Sequence, residues 1–79
     1  MSRNVSYFDN AATVTPSDSA NLPTEACALF VGTGGNVKVD TVGGQTGVTI
    51  AVANNAVVPL HVKKVYATGT TASGISGLW

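Results

Sequence analysis

The chain has 79 residues, enough for one small domain with a thin core, since a chain of this size buries only about 60–65% of the surface its unfolded form exposes. Charged residues are 10% of the composition and cancel to zero net charge. Arg3, Lys38, Lys63 and Lys64 offset Asp9, Asp18, Glu25 and Asp40, which leaves no basic patch for tight nucleic-acid binding. The single cysteine, Cys27, excludes an intramolecular disulfide, one Cys with one His makes no zinc set, and no apolar run approaches the roughly 20 residues of a membrane helix.

A domain this small commonly needs a disulfide, a metal or a partner subunit. With the first two excluded, self-association is the expected route to stability. A surface with few charges and no net charge does little to repel its own copies. Residues 1–10 hold no apolar stretch of signal-peptide length, and the protein is expected to be made in a cytoplasm and to assemble there.

Residues 1–24 contain Pro16, Pro23 and many Ser, Asn, Asp and Thr residues, and their apolar positions follow no sustained period. They are expected to form an extended N-terminal arm, with a turn at 16–19, that becomes ordered on a partner. The aromatic pair Tyr7 and Phe8, together with Leu22, are its candidate anchors. A helical turn over residues 24–27 is compatible with Pro23 at its start.

From residue 25 onward the pattern is β, and 25–79 is expected to be one domain. Residues 27–31 form a short apolar strand with Cys27 buried as a small hydrophobe. Residues 32–36, Gly-Thr-Gly-Gly-Asn, read as a hairpin turn rather than a phosphate loop, because a strand and not a helix follows. Residues 37–41 alternate, placing Val37 and Val39 inward and Lys38 and Asp40 outward. A turn at Gly43-Gly44-Gln45 leads to 48–52, with Val48, Ile50 and Val52 on the core side, and a loop at 54–56 follows.

The longest predicted strand is 57–68. Val58, Leu60 and Val62 share one face, after which the phase slips, and a β-bulge near Lys63-Lys64 returns Val65 and Ala67 to the core. Pro59 belongs at a strand start, a bulge or an edge. A Thr-rich turn over 69–74 precedes a last strand with Ile75, Gly77 and Trp79 on one face, and Trp79 is expected to close the core or an interface. The fold class is therefore all-β, a small sandwich or barrel of about five or six short antiparallel strands behind the arm.

Catalytic residues are not expected. His61, the lone histidine, lies out of phase with Leu60 and Val62 and faces solvent or a neighbour, and no carboxylate is near it in sequence. No EF-hand spacing links Asp9 and Asp18, and no cofactor or metal is implied. Lys63 and Lys64 form the one local basic cluster, which is either a solvated strand face or a contact for an acidic patch on a partner.

Two stretches carry a resemblance. Residues 15–19, Thr-Pro-Ser-Asp-Ser, with Leu22-Pro23 and then 28–37, Ala-Leu-Phe-Val-Gly-Thr-Gly-Gly-Asn-Val, form the first. Residues 59–72, Pro-Leu-His-Val-Lys-Lys-Val-Tyr-Ala-Thr-Gly-Thr-Thr-Ala, with the closing Ile-Ser-Gly-Leu-Trp of 75–79, form the second. In order and spacing they resemble the head-spike base proteins of gene transfer agents and tailed phages. Residues 1–14 and 40–56 match poorly. The resemblance implies a non-enzymatic virion protein on the capsid exterior, decorating or cementing the head or carrying a spike or fibre. Its implied partners are the major capsid protein, a spike or fibre protein, and its own copies as a trimer or pentamer. The contact residues expected from the residues themselves, apart from the resemblance, are Tyr7, Phe8, Leu22, Lys63, Lys64 and Trp79. A module that binds host-surface glycans is the rival reading, and it would need exposed aromatics in a groove.

Overall fold

The computed structural model describes residues 8–79. It is all-β, with seven strands: β1 (Ala11–Thr13), β2 (Ala28–Thr33), β3 (Gly35–Thr41), β4 (Val48–Val52), β5 (Ala56–Val58), β6 (Val62–Val65) and β7 (Ser73–Leu78). They form a four-stranded sheet in the order β1-β7-β2-β5 and a three-stranded sheet in the order β4-β3-β6, every pair antiparallel. No helix occurs among the described residues, so the helical turn expected at 24–27 is replaced. Ala26 bridges to Val62, and the chain bends at Cys27 before β2 begins.

The core lies between the sheets. Leu29 and Val31 of β2 and Ile75 of β7 meet Val37 and Val39 of β3 and Val62 and Val65 of β6, with Val14 and Ala26 closing in from the N-terminal segment. Val48, Ile50 and Val52 are half-buried against this core from β4, while Thr49 and Ala51 are exposed. The period-2 alternation of that segment is therefore the alternation of its faces. The expected bulge is present. Asp40 pairs with Lys64 and Thr41 with Val62, so Lys63 is the extra residue of β6 and both Val62 and Val65 reach the interior.

Two predicted connections turn out to be corners. Residues 32–36 do not make a hairpin, because β2 and β3 lie in different sheets with only Gly34 between them. At this corner the chain passes so close to the end of β4 that a Cβ on Gly34 would lie 2.5 Å from the Val52 carbonyl oxygen. Only glycine fits that approach. The long strand of 57–68 is likewise broken into β5 and β6. Pro59 has no N–H for a ladder, the Leu60 N–H donates to the Val58 carbonyl at 2.9 Å, and the chain passes to the other sheet. Ala67, expected inside, is exposed because β6 ends at Val65.

Two further expectations are corrected. Cys27 is exposed. The bend there separates Ala26, which faces the core beside β6, from Leu29, which faces it from β2, and the residue between turns out. Asp40, expected in solvent, is 7% exposed. It does lie on the outer face, where the Tyr66 side chain covers it and bonds to it.

Residues 8–24 run along the sandwich. β1 pairs with the end of β7, which adds an edge strand that the alanine-rich Ala11-Ala12-Thr13 gave no pattern to predict. Beyond it the Ser17 N–H donates to Val65 O at 2.9 Å, the Leu22 N–H to Lys63 O at 2.8 Å, and Ala26 and Val62 exchange two bonds at 2.9 Å. The free edge of β6 is thereby covered by the segment 17–26.

Candidate interaction site

The expected contact residues distribute into two places. Tyr7 lies outside the described residues. Phe8 is half-buried just ahead of β1, where the Asp9 and Asn10 N–H groups donate to the Trp79 carbonyl at 2.9 and 2.8 Å and the Trp79 N–H returns a bond to Asn10 O at 3.0 Å. Leu22 and Trp79, 57 positions apart in the chain, meet around a small apolar cleft of about 80 Å³ that Ala12, Val14, Pro23 and Gly77 help to line. The cleft has room for one aliphatic side chain. Lys63 joins this neighbourhood through its backbone, since its carbonyl holds the Leu22 N–H.

Lys64 belongs elsewhere. On the outer face of the three-stranded sheet its Nζ lies 4.8 Å from the centre of the Tyr66 ring, and the Lys38 Nζ lies 4.9 Å from the same ring. Two ammonium groups on one phenol ring are held by the ring's quadrupole. The Tyr66 hydroxyl donates to Asp40 Oδ1 at 2.7 Å, and the Gly47 N–H donates to the same oxygen at 2.9 Å. The Tyr66 bond holds the Asp40 carboxyl below its ordinary value, helped by the Gly47 N–H and by Lys64 and Lys63, while burial opposes the shift. The same bond, with burial and the Asp40 charge, raises the phenol.

A second carboxylate fastens the N-terminal segment. Asp18 Oδ1 accepts from the Ala67 and Thr68 N–H groups at 3.0 and 2.9 Å, and Oδ2 accepts from the Thr68 hydroxyl at 2.6 Å. The Thr68 bonds lower its pKa, with the Ala67 N–H and Lys38 assisting and burial opposing. The expected turn here is built by Ser17, whose hydroxyl accepts from the Ala20 N–H at 3.1 Å.

His61 is exposed on the link between β5 and β6, beside a broad shallow groove lined by Val42, Pro59 and Leu60. Among the described residues no three His, Cys, Asp or Glu side chains come together as metal ligands. Sequence reasoning missed the Asp40–Tyr66 bond and the Asp18 fastening. Both join residues far apart in the chain, and only the pairing of β3 with β6 would have put Asp40, Lys64 and Tyr66 on one face.

No family model matches the chain, and no curated protein does. Among solved structures, a chain of the capsid of a native GTA (gene transfer agent) particle, computed with C5 symmetry, matches with a TM-score of 0.82 and 35% identity. The match covers 91% of this chain and 83% of that one. The chain belongs to the same family as that capsid chain. Within this capsid family the shared part spans nearly the whole sandwich, so the fold as a unit is what the two chains have in common.

Proposed function

We propose that this chain is a structural virion protein that sits on the exterior of a phage-type capsid, decorating or stabilising the head and serving as the base for a head spike or fibre. The observation that carries the reading is the match to a chain of a gene-transfer-agent capsid, at 35% identity over 91% of this chain. The high coverage of both chains means that the relative is also small. A domain with extents of 34 × 25 × 18 Å is of a size to sit on a shell rather than to close one.

In this reading the main partners are the major capsid protein and other copies of the chain, gathered into a cyclic trimer or pentamer by the symmetry of the site they occupy. Phe8, Leu22 and Trp79, with Tyr7 ahead of them, supply apolar contacts. Lys63 and Lys64 meet an acidic partner surface. Individually weak contacts add up because many copies bind one particle. Assembly takes place in the host cytoplasm.

The test is cryo-electron microscopy of particles purified from a host producing this protein. Density for the seven-stranded domain on the outer surface is the expected result. Its absence from purified particles, or its location inside the shell, would sink the reading. A deletion of residues 1–7 tests the N-terminal contact separately. It stops short of β1 because β1 and Val14 belong to the sandwich. Reduced particle occupancy with an unchanged circular dichroism spectrum is expected.

A further inference from the structure

A two-sheet fold has four edges, and in this one they are treated differently. The edge of β6 is taken by residues 17–26. The edge of β5 is only three residues long, its Val58 carbonyl is held by the Leu60 N–H, and Pro59 follows with no donor. Among the described residues, nothing pairs with the remaining two edges, β1 and β4.

The hydrogen-bond pattern shows which groups they offer. On either side of β1, Asn10 bonds to Trp79 and Val14 to Ile75, so by alternation Ala12 bonds to its partner Gly77, while Ala11 and Thr13 turn their N–H and C=O groups outward. In β3, the Asn36 carbonyl accepts from Thr71 and Ala72 at 2.8 and 3.1 Å, and the Lys38 carbonyl accepts from Tyr66 at 2.8 Å. Asn36 and Lys38 therefore turn away from β4. Their opposites in the register, Ala51 and Thr49, turn away from β3 and present their backbone groups to the outside. Neither open strand, Ala-Ala-Thr or Val-Thr-Ile-Ala-Val, carries a charge, a proline or a bulge, the devices by which exposed edges are normally blunted.

We infer that the β4 edge of one copy pairs with the β1 edge of the next, so that the three-stranded sheet of each protomer continues into the four-stranded sheet of its neighbour. The inference rests on the cyclic assembly proposed above. A ring with more than two members needs a heterologous contact, made by two different surfaces of the same chain. This fold leaves open two different edges, each presenting two outward residues. Strand addition supplies the affinity through main-chain hydrogen bonds, and the absence of charge on both strands removes like-charge repulsion between identical copies.

Cysteine pairs test it in a Cys27→Ser background, with Ala11→Cys or Thr13→Cys combined with Thr49→Cys or Ala51→Cys. Side chains on adjacent paired strands lie within disulfide reach. Oxidation of assembled protein, in solution or on purified particles, should give a ladder of covalent multiples of the 7.9 kDa chain for at least one β1–β4 combination. A link formed by Ala51→Cys alone would mean β4 pairing with β4, and would overturn the inference. So would the absence of any link among copies that electron microscopy shows to be neighbours. Ala51→Pro deletes an N–H that points away from β3 and fits the extended backbone of an edge strand, and Ala51→Lys adds an edge charge. Both should reduce the assembled mass to that of a single chain with the circular dichroism spectrum unchanged, and assemblies that persist in both would count against the proposal. Particle binding without β1–β4 links refutes the edge pairing and leaves the virion role intact, whereas links without particle binding do the reverse.

Discussion

The two sheets share one core but are finished differently on their outer faces. The strands of the four-stranded sheet, Ala11–Thr13, Ser73–Leu78, Ala28–Thr33 and Ala56–Val58, contain no charged residue. The three-stranded sheet carries Lys38, Asp40, Lys63 and Lys64, and Lys38, Asp40 and Lys64 are drawn together around Tyr66. The first sheet is therefore held by its ladder and by burial alone, while the second adds a polar network on its outer side. The difference teaches that in a chain with 10% charged residues the charges carried by the strands all fall on one of the two sheets. The uncharged sheet should be indifferent to pH, and the charged one should not.

The largest expected effect tests the shared core. Leu29 of the uncharged sheet is 1% exposed, and Leu29→Ala should cost about 2–5 kcal/mol through lost burial and the cavity left behind. Each kcal/mol lowers the melting temperature of a domain this size by about 4–8 °C, which a calorimetric scan would read. The loss should be the same at pH 7 and pH 4, because the buried cluster that Leu29 belongs to is apolar throughout. A loss that changes with pH would break the proposed division between the sheets.

Next in size is the corner between them. Gly34→Ala places a methyl group 2.5 Å from the Val52 oxygen. The backbone must move to relieve it, and overpacking of this kind costs about 1–3 kcal/mol. Urea midpoints would measure it. An unchanged midpoint would show that the two sheets are not locked at this point.

The pH dependence of the charged sheet separates the two more finely. Asp40 has its carboxyl lowered from an ordinary 3.8, mainly by the Tyr66 hydroxyl. A group whose folded pKa is depressed adds stability that is fully present above its unfolded value and is lost as pH falls through the folded one. Tyr66→Phe should therefore be less stable than the parent at neutral pH, and the gap should narrow as pH falls below 3.8. At the alkaline end the sign reverses. The Tyr66 phenol is raised above 10.0, so the parent loses stability as pH climbs from that value through the folded one, and the Phe variant does not. Parallel pH curves for the two proteins would show that the bond contributes nothing.

How much of this was legible in the sequence follows from the range of the interactions. β4 was readable to the residue, because Val48, Ile50 and Val52 against Thr49 and Ala51 is a period-2 pattern that needs no partner to recognise. The bulge was readable because Val62 and Val65 cannot both face inward without one. The corners at Gly34 and Pro59 were not, since a glycine-rich link looks the same whether it closes a hairpin or changes sheets. β1 was missed because two alanines and a threonine carry no face. Among the contact residues, the meeting of Leu22 with Trp79 required knowing that the first and last described strands, β1 and β7, lie side by side. The Asp40–Tyr66 bond spans 26 positions and appears only once β3 and β6 are paired.

The smallest effect concerns the segment that covers β6. Asp18 is exposed, yet it binds the Ala67 and Thr68 N–H groups and the Thr68 hydroxyl. Its carboxyl is lowered from 3.8, chiefly by Thr68, so this fastening is present above that pH and released as pH falls through the depressed value. Asp18→Ala removes the acceptors without touching the core, and the melting temperature should barely move. What should change is local. The Ala67 and Thr68 amides should exchange hydrogen faster at neutral pH, and so should the Ser17 amide bonded to Val65 O, if the segment is held at this point. The bridge between Ala26 and Val62 lies at the far end of the segment and should keep its protection. Uniform loss of protection from 17 to 26 would mean that the segment opens as one unit, exposing the β6 edge as a third place where another strand could add. Loss confined to 17, 67 and 68 would mean that β6 stays closed and that β1 and β4 remain the edges open to a neighbour.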